Sequence, residues 1–352
     1  MNTPIKANYL LVRFVLCVFL LPVWQSSAAA EQWKIATSWP GGPFIDSCVK
    51  PFAEQVTLLT EGRLELRVFQ GGVLGDPLQV SDTVLNGAAE MGMQWPGYDW
   101  GKDKASMLFG GYAGGVDSEQ MLHWLYEGGG AELWRKWRDE KFGLVGVPVC
   151  AYSTEVFMHS RKPVRSLADL QGLKVRTAGV WLELARKLGA APVTSSGGDV
   201  FPMLERGVID GAEWGTPWHN VIAGFHKAAK YVIIPGVHQP SAVFELLINK
   251  KSWAALSPRD QELVLLAAKL NTFDFWLKNG EEDAKALAAF ADNKNEIIEL
   301  APEVRAKAKE LGLEWAEAQA QNNPWAKQVF ESQRTFEQTW NAWGKYRHFD
   351  VR

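Results

Sequence analysis

Apolar and polar positions alternate over Leu64-Glu65-Leu66-Arg67-Val68-Phe69, the two-residue period of a strand with one buried face. Upstream, Lys34 to Thr37 opens a short strand, the loop Ser38-Trp39-Pro40-Gly41-Gly42 ends it, and Ile45 to Leu59 carries apolar residues at helical spacing. Asp76 to Leu85 predicts a second helix and Ala88 to Gln94 another strand. Strand, helix, strand, helix, strand is the order of a mixed α/β lobe. Asp117, with Gln120 three residues on, marks a helix start, and the pattern continues to about Lys136. Leu144 to Tyr152 is nearly continuous in apolar residues, as in strands buried on both faces. Val156 to His159 reads as a partner strand.

The alternation then begins again. Ser166 and Asp169 form a capping box for a short helix closed by Gly172. Strand patterns at Leu173–Arg176, Ala191–Val193 and Val208–Trp214 are separated by helix patterns at Val180–Leu188 and Asp199–Arg206. Tyr231–Ile234 and Ala242–Ile248 read as further strands. Ser257 followed by Pro258 places a favoured N-cap before a favoured first helical residue, and that helix runs to about Lys278. From Glu281 onward the spacing is helical, cut by Pro302 and Pro324. Two rounds of βαβα in a chain longer than one usual domain predict an α/β protein of two lobes.

Of the 352 residues, the first thirty read as an export signal. Lys6 and Arg13 are its basic part, and Phe14 to Trp24 its apolar part, too short to span a bilayer. Ala28-Ala29-Ala30 supplies the cleavage site. The segment contains no acid, so losing Lys6 and Arg13 takes the formal charge from −3 to −5. That mild acidity argues against nucleic acid as the partner. Cys48 and Cys150 remain after cleavage. Export permits a disulfide, and two buried free thiols fit the sequence equally well.

No H-E-x-x-H, G-x-S-x-G or Walker loop occurs, and Gly71-Gly72-Val73-Leu74-Gly75-Asp76 reads as a tight turn. The six histidines lack metal-ligand spacing and read as surface or packing residues. Two places carry chemistry. Arg176 closes a strand before Thr177-Ala178-Gly179, where α/β sheets place their ligands, and a guanidinium grips a carboxylate through two parallel hydrogen bonds. Glu213 and Trp214 close the strand before Gly215-Thr216-Pro217 and so belong beside Arg176.

The stretch Ser166-Leu167-Ala168-Asp169-Leu170-Gln171-Gly172-Leu173-Lys174-Val175-Arg176 resembles the "D-L-x-G-L-K-x-R" segment of the solute receptors of TRAP transporters, the DctP-like family. Phe201 to Glu213 is similar to that family's "L-x-x-G-x-x-D-G-x-E" region, and Leu247 to Trp253 with Leu256 adds a third match. The resemblance implies a periplasmic-binding-protein-like fold with the ligand cleft between lobes. It divides the chain into a signal peptide (1–30), a first lobe (31–154, with about 243–282 returning) and a second (155–242, with the helical 283–352). It implies a receptor in the periplasm, not an enzyme, which hands a small organic carboxylate to TRAP membrane subunits. Arg176 would bind the carboxylate. Glu213-Trp214 is similar to the branch that binds 2-oxo acids with a cation, where a glutamine, the glutamate and the main-chain oxygen of the tryptophan hold the metal. Here Glu155 stands at the glutamine position. Glu155, Glu213 and Trp214 are thus the implied metal set, and Arg176, Glu155, Trp214 and Tyr98 or Trp100 the implied ligand contacts. Two glutamates, one arginine and a ligand carboxylate balance with a divalent ion, calcium, and sodium is the alternative. Members of the branch can dimerise through a long C-terminal helix; Trp315, Trp325, Trp340 and Trp343 suit such a contact or packing on the chain's own lobes.

Two rivals remain. A receptor for a larger aromatic or sugar acid keeps the architecture and changes the pocket. An exported glycoside hydrolase would use Glu155 and Glu213 as acid and base, but leaves Arg176 without a role.

Overall fold

Strand pairing divides the chain between two sheets. The computed structural model describes residues 30–347. The expected export segment therefore lies, apart from Ala30, outside the described residues. The strands are β1 (Glu31–Thr37), β2 (Leu64–Phe69), β3 (Met91–Gln94), β4 (Leu144–Tyr152), β5 (Met158–Ser160), β6 (Lys174–Arg176), β7 (Ala191–Val193), β8 (Gly211–Ala212), β9 (Tyr231–Ile234), β10 (Ala242–Asn249) and β11 (Glu296–Glu299). One sheet has the order β2-β1-β3-β10-β4 and the other β11-β9-β5-β8-β6-β7. The parallel pairs β1–β2, β1–β3, β6–β7 and β6–β8 need crossovers, which the intervening helices supply. β10 and β5 run antiparallel to both neighbours, so each sheet is mixed. The architecture is the expected two-lobed α/β one.

Three connections join the sheets. Residues 153–157 lead from β4 to β5, and residues 235–241 lead from β9 to β10. The long helix Pro258–Asp292 packs on β4 and on the helix Pro217–Ile222 before the chain enters β11. The first two connections lie side by side. Glu155 N–H donates to the Gln239 carbonyl at 3.3 Å, and Gly236 N–H to the Glu155 carbonyl at 2.8 Å. Cys48 and Cys150 form a disulfide across 102 residues, which decides between the two alternatives left by the sequence.

Three elements depart from the pattern-based reading. One helix was expected from Asp117 to about Lys136; the chain forms Ser118–Tyr126 and Gly130–Phe142 instead. Gly129 adopts φ +82°, a conformation glycine tolerates without strain. A Cβ on Gly130 would meet the Trp124 ring at 2.7 Å, so close packing needs glycine there as well. The helix capped by Ser257 runs beyond Lys278 to Asp292. Gly280 inside it costs about 1 kcal/mol relative to alanine, less than burial of Phe275, Ala286 and Phe290 on the same helix returns. β11 lies in a stretch read as helical. It is a four-residue edge strand in which Ile298 alone is buried, too short to impose a period of two.

The C-terminal region, expected with the second lobe, contacts both. Pro302–Asn322 touches the helix Trp181–Lys187, whereas Pro324–Arg347 lies across the helices Ser106–Gly110, Ser118–Tyr126 and Gly130–Phe142 that cover the first sheet. Gln333 donates to the Leu108 carbonyl at 2.7 Å, and the Trp124 indole to Ser332 at 3.0 Å. Trp315 and Trp325 are buried in this packing. Trp340 lies against His123 and Phe336. Trp343 is 59% exposed. Among the described residues no helix is long and apolar enough to cross a membrane.

Candidate functional site

Parallel pairing of β6 with β8 sets Arg176 opposite Ala212, so the residues that follow both strands emerge at the same sheet edge. Glu213 N–H donates to the Arg176 carbonyl at 3.2 Å. Arg176 is 1% exposed. Its Nε and Nη2 donate to the Ser195 carbonyl at 3.3 and 2.8 Å, and Nη1 donates to the Glu213 carbonyl at 3.0 Å. A guanidinium has five N–H donors. Main-chain oxygens therefore hold the group rigid and leave two donors for another acceptor. The Glu213 carboxylate accepts from Ala178 N–H at 2.9 Å and lies 3.6 Å from Arg176 Nη1.

Glu155 comes from the β4–β5 connection and is buried. Its Oε1 accepts from the Tyr152 hydroxyl, and its Oε2 lies 3.1 Å from His238 Nε2. His238 comes from the β9–β10 connection, and the same Nε2 lies 3.8 Å from Glu213 Oε2. Burial pushes the Glu155 carboxyl above the usual range, and the nearby Glu213 charge adds to the effect against the pull of His238 and Tyr152. Burial, then the Glu155 charge, also holds the Tyr152 hydroxyl well above its ordinary value, so it serves as a neutral donor. Glu155, Glu213 and His238 each present one ligand atom, all within 4.8 Å of one another. Two buried carboxylates sharing one arginine are short of positive charge, and hard oxygens at this spacing suit a cation.

Aromatic rings wall the space between these groups. Phe44 stacks on Trp39 at 5.0 Å and meets Trp214 and Phe244 edge-on at 5.2 Å. Tyr98 enters from the 3-10 turn Pro96–Asp99, with its ring perpendicular to Trp95. Burial raises the Tyr98 hydroxyl's pKa, while the adjacent Arg176 charge pulls it back. The enclosed cavity has a volume of about 30 Å³ and is lined by Tyr98, Glu155, Arg176, Glu213, Trp214 and His238, among others. Five of the six residues singled out from the sequence meet here. Trp100 does not. It lies outside the lining, under the Lys104 ammonium at 3.5 Å, so Tyr98 is the aromatic of that turn that faces the cavity. His238, read from the sequence as a surface or packing residue, lies in the site. No spacing pointed to it, because its partner Glu155 is 83 residues away.

Residues 35–322 match the family described as bacterial extracellular solute-binding protein, family 7, or DctP. The chain is 29% identical over 329 residues to the monocarboxylate 2-oxoacid-binding periplasmic protein of Nostoc sp., covering 91% of this chain and 88% of that one. A TRAP transporter solute binding protein from Bordetella bronchiseptica superimposes with TM-score 0.86 at 27% identity, over 91% of this chain and 95% of that chain. That structure is a mixed-occupancy dimer, with copurified calcium and picolinate in one active site and an apo second site. A TRAP periplasmic solute binding protein from Pseudoalteromonas atlantica, with bound sodium and pyruvate, superimposes with TM-score 0.84 at 26% identity, over 90% and 97% of the two chains. With a family match across both sheets and a shared fold over nine-tenths of its length, the chain belongs to the DctP family of bacterial extracellular solute-binding proteins, which are receptors rather than enzymes.

Proposed function

We propose that the chain is a periplasmic receptor that captures a small 2-oxo or 2-hydroxy monocarboxylate with a divalent cation and hands it to the membrane subunits of a TRAP transporter. One observation carries this reading: the rigid Arg176 fork lies beside the buried Glu155–Glu213 pair in a closed cavity of about 30 Å³. Arg176 grips the carboxylate, the Tyr98 hydroxyl lies beside it, and Trp214 forms a wall. Glu155, Glu213 and the Trp214 main-chain oxygen hold the ion, which the acid chelates through one carboxylate oxygen and the neighbouring oxo or hydroxyl oxygen. The relatives from Nostoc and Pseudoalteromonas support the ligand class, and a bound cation accompanies the carboxylate in the Bordetella receptor, where it is calcium, and in the Pseudoalteromonas receptor, where it is sodium.

Charge favours a divalent ion. Two glutamates and the ligand carboxylate against one arginine leave a deficit that sodium halves and calcium cancels, and buried uncompensated charge is costly. On oxygen donors alone the ion is calcium. A three-carbon acid accords with the pyruvate held by the Pseudoalteromonas receptor. The match to a family of solute receptors, rather than the spacing of Glu155 and Glu213, sets the glycoside hydrolase reading aside.

The test is calorimetric titration of pyruvate into the mature protein after exhaustive chelation. Binding should vanish in chelator and return with calcium. Full affinity with sodium as the only cation overturns the divalent reading, and full affinity with no cation overturns the site. Export predicts a mature N-terminus near Glu31 in periplasmic extract, and an intact N-terminus there would contradict it. Pairing of two copies through the last helix rests on the exposed Trp343 and on the dimeric Bordetella receptor. Unchanged sedimentation of Trp343→Ser would count against that contact.

A further inference from the structure

We propose that His238 is a third protein ligand of the cation, and that the resulting mixed carboxylate–imidazole site takes a divalent ion of the manganese-to-zinc series more tightly than calcium. The proposal rests on the cation-assisted reading above and changes its choice of ion.

The geometry comes from three separate stretches of chain. Glu155 and His238 sit on the two connections that run side by side between the sheets, held together by the Glu155–Gln239 and Gly236–Glu155 main-chain hydrogen bonds. Glu213 follows β8 in the second sheet. His238 Nε2 lies 3.1 Å from one Glu155 oxygen and 3.8 Å from one Glu213 oxygen. Donors bound to one ion at about 2.0–2.2 Å lie about 3 Å apart at a right angle and about 3.4 Å apart at a tetrahedral angle. The His238–Glu155 spacing is that of a ligated set, while the His238–Glu213 and Glu155–Glu213 spacings, the latter within 4.8 Å, would shorten as the carboxylates turn onto an ion. All three side chains are buried, so none is held there by solvent.

The donor chemistry chooses the ion. Calcium and sodium take oxygen ligands, whereas imidazole suits the later first-row metals. An oxygen-only cation site has no use for a histidine nitrogen facing both of its carboxylates. The second ring nitrogen gives an independent observation. His238 Nδ1 is buried with no hydrogen-bond partner, although the ring is 3% exposed and lines the cavity. A histidine ligating through Nε2 carries its proton on Nδ1, and that proton needs an acceptor, which a bound acid can supply. The plainer role, a hydrogen bond between Nε2 and Glu155, accounts for one nitrogen and leaves Nδ1 without a partner.

The test uses the mature protein stripped with chelator, titrated with metal alone. Calorimetry measures zinc, manganese and calcium; cobalt absorption reports nitrogen ligation without any acid present. Wild type should bind zinc at least about tenfold tighter than calcium. His238→Gln should weaken zinc at least about tenfold, more than it weakens calcium, and shift the cobalt spectrum. Equal zinc and calcium affinities, or tight zinc binding that survives His238→Gln, would overturn the proposal. A misfolded variant is recognised by its circular dichroism, and His238→Asn then takes its place. Failure of the underlying reading looks different: pyruvate would then bind the stripped protein without any cation.

Discussion

Arg176→Lys keeps the charge and removes the fork, so it isolates what geometry contributes. In the native site three guanidinium N–H groups are fixed by Ser195 and Glu213 carbonyls, and two remain for the ligand. An ammonium has three donors in all. It cannot serve two main-chain oxygens and both oxygens of a carboxylate. Losing one charge-assisted hydrogen bond to the acid costs about 1.5–3 kcal/mol, a fall in affinity of about 10- to 100-fold. The carbonyls left short of a donor also lower stability, by about 1–3 kcal/mol for each fully unsatisfied group. The two effects are separable. Calorimetry of the acid at saturating cation gives the binding loss directly. Thermal unfolding without acid gives the structural cost, and the added stabilisation by acid must shrink as well. With acid at a thousand times the native Kd that stabilisation is about 4.1 kcal/mol, and a hundredfold loss of affinity reduces it to about 1.4 kcal/mol. An affinity within threefold of wild type, in a protein of native circular dichroism, would refute the role given to Arg176.

Replacing both Cys48 and Cys150 by alanine opens a loop of about a hundred residues and should cost about 3–5 kcal/mol by urea denaturation, with acid affinity nearly unchanged; an unchanged midpoint would contradict a stabilising disulfide. Arg138→Met leaves Asp99 and Glu245, whose oxygens lie 2.8 Å from the Arg138 nitrogens, buried without their shared cation. A loss of about 3–5 kcal/mol is expected, and a loss under about 1 kcal/mol would show that the network carries little. Asp283 accepts from Trp218 N–H at 2.8 Å, and burial pushes its pKa up to about 6. A carboxyl raised in the folded state gives its full contribution below its unfolded pKa near 4 and loses it as pH rises through about 6. Asp283→Asn should therefore lose about 2–2.5 kcal/mol less stability than wild type between about pH 4 and pH 7; parallel profiles for the two proteins would rule this out.

The strand ends were legible because local pattern and pairing agree there. Arg176 and Glu213 each follow a short apolar strand, and adjacent parallel strands present their ends at one edge, so a reading of elements already brings them together. Glu155 was found through family resemblance, since nothing in its own neighbourhood marks it. His238 was missed because connections between sheets have no periodicity, and its contact with Glu155 exists only once two distant crossovers run side by side. Tyr98 and Trp100 could not be told apart from sequence. They flank the end of a single 3-10 turn, where each residue rotates by about 120°, so their directions follow from how that turn sits on Asp99. Asp99 is pinned from below by Arg138 and Ser81. The break at Gly129 and the strand β11 were lost for a related reason: close packing against Trp124 and a four-residue sheet edge leave too little repeat for a pattern to show.

The placement of charge explains why this site belongs in a receptor. Tyr98 belongs to the first sheet's turn, Arg176 and Glu213 to the second sheet, and Glu155 and His238 to the connections between them. On the reading proposed above, a bound acid would touch both lobes, and an ion at Glu155, Glu213 and His238 would link the connections to the second lobe. Glu155 and Glu213 bring two carboxylates into one buried space, where like charges repel. An ion held there would bring the same carboxylates together and present a positive centre to the incoming acid. Cation and acid would then favour the same arrangement, and each would raise the other's affinity by the same factor. Release follows the same linkage, because loss of either partner weakens the other. A site of this kind holds its ligand by closing around it and needs no group to break a bond. That accords with two glutamates whose hydrogen bonds and charges are spent on each other's neighbours rather than aimed at a scissile atom.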